Sequence, residues 1–207
     1  MKKMVLLLIS VVSIQVIYAQ NYPAPEFANE IYALRKDSNT LIRLEKDYSK
    51  MNTKTRLGGM GGAEHGYTIE SEKSPVRLSR SVTYSFIFSN STANSNPHAD
   101  STMRANGVDP STYSNSMGMD PSQLISLYSA EPSKGKRNIV MMSGGGMNLL
   151  GKPKKESNKY PFSLKKIREG YYELVVDKTL PKGEYAFVMM SYGSMDGSHT
   201  VFAFAVE

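Results

Sequence analysis

"TLPKGEYAFVMM" (Thr179–Met190) is the stretch that decides the fold. A leucine, a proline, a glycine and a tyrosine lead directly into "EYAFVMM" (Glu184–Met190), which is apolar on both alternating faces. A short apolar run bounded by turn residues, with no polar alternation, reads as an inner strand of a packed sheet. "SYGSMDGS" (Ser191–Ser198) follows, and its Asp196-Gly197 favours a tight hairpin turn. "TVFAFAVE" (Thr200–Glu207) then repeats the doubly apolar pattern.

Strand signals continue outward from this hairpin. In "VTYSFIF" (Val82–Phe88), Val82, Tyr84, Phe86 and Phe88 fall on one face, with Thr83 and Ser85 on the other, the two-residue period of a half-buried strand. "YYELVVD" (Tyr171–Asp177) turns Tyr172, Leu174 and Val176 inward. "EIYAL" and "TLIRLEKDY" flank the polar "RKDSN" as a second hairpin, and "VRL" and "NIVMMS" supply further short strands. Helical signals are sparse. Asp120-Pro121-Ser122-Gln123 carries an N-cap, a first-turn proline and a capping-box glutamine, and Ser163–Arg168 has room for one helical turn. The expectation is an all-β chain, most simply a sandwich, as one domain over 20–207. Within it, residues 89–119 are rich in Ser, Asn and Thr and cannot bury enough surface to offset ordering, so they read as a long mobile loop.

The N-terminal "MKKMVLLLISVVSIQVIYAQ" pairs Lys2 and Lys3 with an apolar run and a small residue, Ala19, at the cut. That is the pattern of a cleaved secretory signal peptide over 1–19, with the mature protein secreted or periplasmic. No later stretch is long and apolar enough for a transmembrane helix. The absence of cysteine excludes disulfides, thiol catalysis and acylation at a cysteine. Losing Lys2 and Lys3 leaves 23 basic residues against 19 acidic, a mild excess. Much of it lies in "GKPKKESNKYPFSLKKIR" (Gly151–Arg168). Lys154, Lys155, Lys165 and Lys166 are the candidate ligand-binding residues there, for an anionic envelope polymer or glycan; the plain alternative is a solvated lysine-rich loop. No aromatic series interleaves these lysines, so nucleic acid is not an expected partner.

The chemistry-bearing patterns are weak. "GGMGG" and "SGGGM" lack the Gly-Lys-Ser/Thr ending and following helix of a phosphate loop. Ser194, Asp196, Ser198 and His199 share one short turn, whereas working triads converge from separate segments. His65, His98 and His199 lack ligand spacing. Methionines at 117, 119, 141, 142, 147, 189, 190 and 195 suit Cu(I) but are equally core fillers. No spacing selects a carboxylate pair for glycosidic chemistry from Glu45, Glu70, Glu72 and Glu184. No metal site, cofactor or catalytic residue is assigned.

Leu180, Pro181, Gly183 and Tyr185 resemble the Leu-x-Pro-Gly-x-Tyr tyrosine corner of immunoglobulin-like and fibronectin-type sandwiches, with the proline one position displaced. The last thirty residues also look similar to the C-terminal hairpin of uncharacterised exported bacterial proteins. The resemblance implies an immunoglobulin-like β-sandwich in which the Tyr185 hydroxyl bonds to backbone near Lys178 or Thr179, with a positive φ at Gly183 as a further possibility. It implies no activity. The leading functional reading is therefore a non-catalytic exported protein with a binding or structural role in the envelope, its partner an envelope protein or glycan. A periplasmic Met/His copper-handling protein and a hydrolase with an unrecognised site are the alternatives. The exported protein is expected to have the intact mass of a chain beginning at Gln20; a membrane-retained full-length form would refute cleavage at that point.

Overall fold

The structure is a computed structural model and describes residues 22–55, 63–90, 121–144, 158–168, 170–190 and 198–207. The chain is all-β, with one helical turn among the described residues. The strands in chain order are β1 (Glu30–Arg35), β2 (Thr40–Arg43), β3 (Glu45–Thr55), β4 (Ala63–Ile69), β5 (Arg77–Leu78) and β6 (Tyr84–Ser89). After the turn α1 (Pro121–Leu124) come β7 (Ile125–Ser133), β8 (Lys136–Gly144), β9 (Lys159–Tyr160) and β10 (Phe162–Arg168). The last three are β11 (Tyr171–Val176), β12 (Gly183–Met189) and β13 (Ser198–Val206).

Two layers face each other, but one of them rolls up. A five-stranded antiparallel sheet runs β10-β11-β6-β1-β2. The other layer runs β12-β13-β3-β4-β8-β7, and β7 pairs back onto β12 from Glu184↔Ala130 to Met189↔Ile125. Six strands thus close into a barrel, which leaves no open edge around its circumference. The β7–β8 hairpin completes the closure through a two-residue turn in which Lys134 (φ 54°) and Gly135 (φ 79°) both take left-handed conformations.

The C-terminal hairpin is the wall between two cores. On β12 and β13, Ala186, Val188, Val201 and Ala203 point into the barrel, where Tyr67, Ile69, Tyr128 and Ile139 fill the remaining space. The alternate residues, Tyr185, Phe187, Phe202 and Phe204, face the five-stranded sheet and pack on Phe86, Phe88, Tyr172 and Leu174. Phe86 sits 4.8 Å from Phe187 and 4.9 Å from Phe204, in edge and tilted geometries.

Several expectations change. Val82–Phe88 is not half-buried: the strand begins at Tyr84, and Ser85 and Ile87 on its second face are also buried. Their cover includes Tyr22, which packs with Leu34, Ile87 and Tyr171 on the sheet's outer face, while Tyr171 Oη donates to the Pro23 carbonyl at 2.5 Å. Ser163–Arg168 is strand rather than a helical turn, because pairing with β11 along the sheet supplies its backbone partners. "LISLYS" is strand from Ile125 onward, and the helix before it is a single turn. The 89–119 loop, the 191–197 turn and the 1–19 leader lie outside the described residues, apart from Ser89, where β6 ends, and Asn90 after it.

Tyr185 Oη donates to the Pro181 carbonyl at 2.8 Å, not to Lys178 or Thr179, and Leu180 is buried in the main core. Gly183 has no positive φ, and a Cβ there would meet the Tyr185 ring at 3.6 Å, an ordinary contact. Gly66 does not tolerate a side chain: a Cβ there would sit 1.8 Å from the Ile139 carbonyl oxygen at the β4–β8 bulge. Gly183→Ala should therefore shift the melting temperature little, whereas Gly66→Ala should unfold the protein or lower its melting temperature by many degrees. Equal shifts in calorimetry would contradict this account of the bulge.

Candidate functional site

The barrel-facing row of β12 begins at Glu184, and at that end the interior turns from apolar to ionic. Arg137, on β8, is wholly buried. Its Nη2 donates to both Glu45 oxygens at 2.7 and 2.8 Å and to Ser71 Oγ at 2.7 Å. Its Nε donates to the Ser71 carbonyl at 2.9 Å, and its Nη1 to Glu184 at 3.3 Å. Glu184 also accepts the Ser74 backbone N–H at 2.9 Å. The structure therefore brings together Glu45 and Glu184, two carboxylates that no sequence spacing linked. They meet on one guanidinium, and Arg77 Nη1 lies a further 3.7 Å from Glu184. A buried ion pair saturated in this way closes the barrel end.

On the outer flank of the same end lies a cleft of about 350 Å³, the size of a small-ligand site. Its apolar lining includes Tyr160, Tyr185 and Ala130, the two rings 5.4 Å apart and edge-on. Arg77 and Lys182 supply positive charge, Glu131 and Glu184 negative. Arg77 is itself engaged by Glu207 at 2.7 Å. Burial, and next a hydrogen bond with Tyr160, hold the Tyr185 phenol well above its ordinary ionisation range. Tyr185 is thus a neutral donor to the Pro181 carbonyl and part of the lining at once.

Lys165 and Lys166 are exposed on β10, the end strand of the five-stranded sheet, where Lys165 Nζ approaches Glu173 at 4.0 Å. Lysines on an end strand oppose edge-to-edge pairing with another chain, which accounts for these two. Lys154 and Lys155 lie outside the described residues.

His65 and His199 are kept apart by register. His199 is opposite Ser49 and His65 opposite Thr53, so they differ by four residues along β3, about 13 Å. Each ring has its own neighbour: His65 Nδ1 is 2.9 Å from the Thr53 hydroxyl, and His199 lies on Tyr67 with centroids 5.3 Å apart. Among the described residues no group of three or more His, Asp or Glu could hold a metal ion. Met141 packs on the barrel core and Met189 on the main core; Met117, Met119, Met147, Met195, His98, Ser194 and Asp196 lie outside the described residues. No helix among the described residues is long and apolar enough to cross a membrane. No family model, curated protein or solved structure matches the chain.

Two further buried carboxylates are structural. Glu30 accepts from Arg43 Nε and Nη2 at 2.7 and 2.8 Å and from Lys46 at 3.1 Å. Glu173 accepts from Lys36, from Ser85 at 2.6 Å and from Tyr22 at 2.7 Å. Burial alone would raise both carboxyls, but the bonds from Arg43 and Lys46, and from Lys36, Ser85 and Tyr22, leave both below the ordinary glutamate value. A carboxyl depressed in the folded state adds stability above its unfolded pKa, near 4.3, and loses it as pH falls through the lower folded value. The melting temperature should therefore drop steeply below about pH 4.3. The Glu30→Gln, Glu173→Gln double variant should be less stable at pH 7 and show a shallower acid drop. An identical pH profile for wild type and variant would remove these two groups from the acid response.

Proposed function

We propose that the protein is an exported, non-catalytic β protein with a binding role in the bacterial envelope, and that it takes its ligand in the cleft beside the tyrosine corner. The observation that carries this reading is the cleft itself: it combines an aromatic floor with positive and negative charge at its rim and has the volume of a small-ligand site. The ionic groups around it support binding rather than proton transfer, since Glu184 is held by Arg137 and Ser74, and Tyr185 by Pro181. The corner and the facing of a five-stranded sheet on the barrel wall favour an immunoglobulin-like origin for the larger core. Export rests on the leader pattern of residues 1–19.

Solubilised envelope fractions added to the purified protein should raise its melting temperature, as any ligand selective for the native state does. Lys182→Glu should abolish the rise. Tyr185→Phe keeps the ring and removes one bond to the carbonyl of Pro181, itself an exposed residue, so it should cost about 0.5–1.5 kcal/mol and keep the ligand-induced rise. A melt unmoved by every fraction would overturn the binding role, and turnover of a hydrolase substrate lost on mutating a cleft residue would overturn the non-catalytic one.

A further inference from the structure

The outward face of β3 was not singled out by its sequence, and it is the most ligand-like surface outside the cleft. Lys46, Tyr48, Lys50, Asn52 and Lys54 alternate along the strand and are all exposed. At about 3.3 Å per residue the row is about 26 Å long, with an ammonium every 13 Å or so. Tyr48 is the most exposed large hydrophobic among the described residues, at 67%, with Lys46 Nζ 5.7 Å from its ring centroid.

Beside this row the neighbouring strands supply a fixed polar surface. Asn52 Nδ2 donates to Thr68 Oγ1 at 3.0 Å, Thr68 Oγ1 donates to Asn138 Oδ1 at 3.3 Å, and Lys54 Nζ donates to the same oxygen at 2.6 Å. These groups border a depression of about 30 Å³ over the Gly66 backbone. A depression that small admits one hydroxyl or water, not a ring.

We infer that the outward face of β3, with Thr68 and Asn138, binds an extended acidic glycan. A row of this length matches a polymer rather than a monosaccharide. The exposed Tyr48 ring offers a platform for the apolar face of a sugar. The amide and hydroxyl groups of Asn52, Thr68 and Asn138 match sugar hydroxyls, and the spaced lysines match carboxylate or sulfate groups at intervals along the chain. Glu30 and Glu64 offset part of this charge, Glu30 bonding Lys46 at 3.1 Å and Glu64 standing opposite Lys54 in the register. A single-stranded nucleic acid would require successive aromatic platforms, and this face has one.

The test is affinity electrophoresis of the folded protein in gels containing polygalacturonate, chondroitin sulfate or neutral dextran, with a single-stranded oligonucleotide as competitor. Wild type should be retarded by at least one acidic polymer and not by dextran. Tyr48→Ala and the Lys50→Gln, Lys54→Gln pair should each weaken retardation at least tenfold with an unshifted melt. Lys165→Gln, Lys166→Gln on β10 and Lys182→Glu in the cleft should leave it intact, which separates this surface from the cleft reading. No retardation by either acidic polymer, retardation unaffected by the β3 variants, or stronger capture by the oligonucleotide would each overturn the inference.

Discussion

Everything else in the fold is built around the β12–β13 hairpin and its division of side chains by size. Its barrel side carries Ala186, Val188, Val201 and Ala203; its sheet side carries Tyr185, Phe187, Phe202 and Phe204. A six-stranded barrel has a narrow interior, and Tyr67 and Tyr128 already occupy much of it. A slip of one residue would exchange the two faces and drive four aromatic rings into that space. The hairpin's register is therefore fixed by volume as well as by hydrophobicity. Because β3 pairs with β13 and β7 with β12, that register is passed to the rest of the barrel wall.

Closing a barrel disposes of its edges but leaves its ends. At the Glu184 end the solution is ionic: Arg137 draws together β3 through Glu45, β12 through Glu184 and the connection after β4 through Ser71. Replacing such a cluster with apolar residues of similar volume is often neutral or stabilising, so its contribution is better sought in specificity. Only one alignment of β3, β8 and β12 sets both carboxylates on the one guanidinium. Any other strands a buried charge, at a cost of several kcal/mol. The cluster thus reinforces at one end the register that side-chain volume imposes along the hairpin.

What could be read from the sequence follows the range of the interactions concerned. The doubly apolar hairpin and the β1–β2 hairpin around "RKDSN" are local, and each was legible because a few adjacent residues specify it. Barrel closure was not, since the β7–β12 and β3–β13 pairings join residues far apart in the chain. Even the local β7–β8 turn escaped notice, because Lys134-Gly135 replaces the usual Asn-Gly while keeping both positive φ angles. Ser85 and Glu173 looked like solvent-facing residues of half-buried strands. They are buried because Tyr22, Lys36 and the neighbouring strands satisfy their polar groups, which a two-residue period cannot express. For the same reason the meeting of Glu45 and Glu184 on Arg137 left no trace in spacing.

Whether the stretch at Thr179–Met190 is a site or a scaffold corner turns out to be a choice between two properties of the same residues. Tyr185 is held as a corner residue by its bond to Pro181 and by its stacking with Phe204, rings 5.7 Å apart. Its ring also lines the cleft, together with Pro181, Lys182 and Gly183. A corner must hold its backbone still, and a preformed site asks the same of its walls. The β3 face gains from the same hairpin, since β13 holds Lys46, Tyr48 and Lys50 in register along one straight row. Both proposed binding surfaces thus adjoin the β12–β13 hairpin, the cleft through Tyr185 on β12 and the β3 face through its pairing with β13.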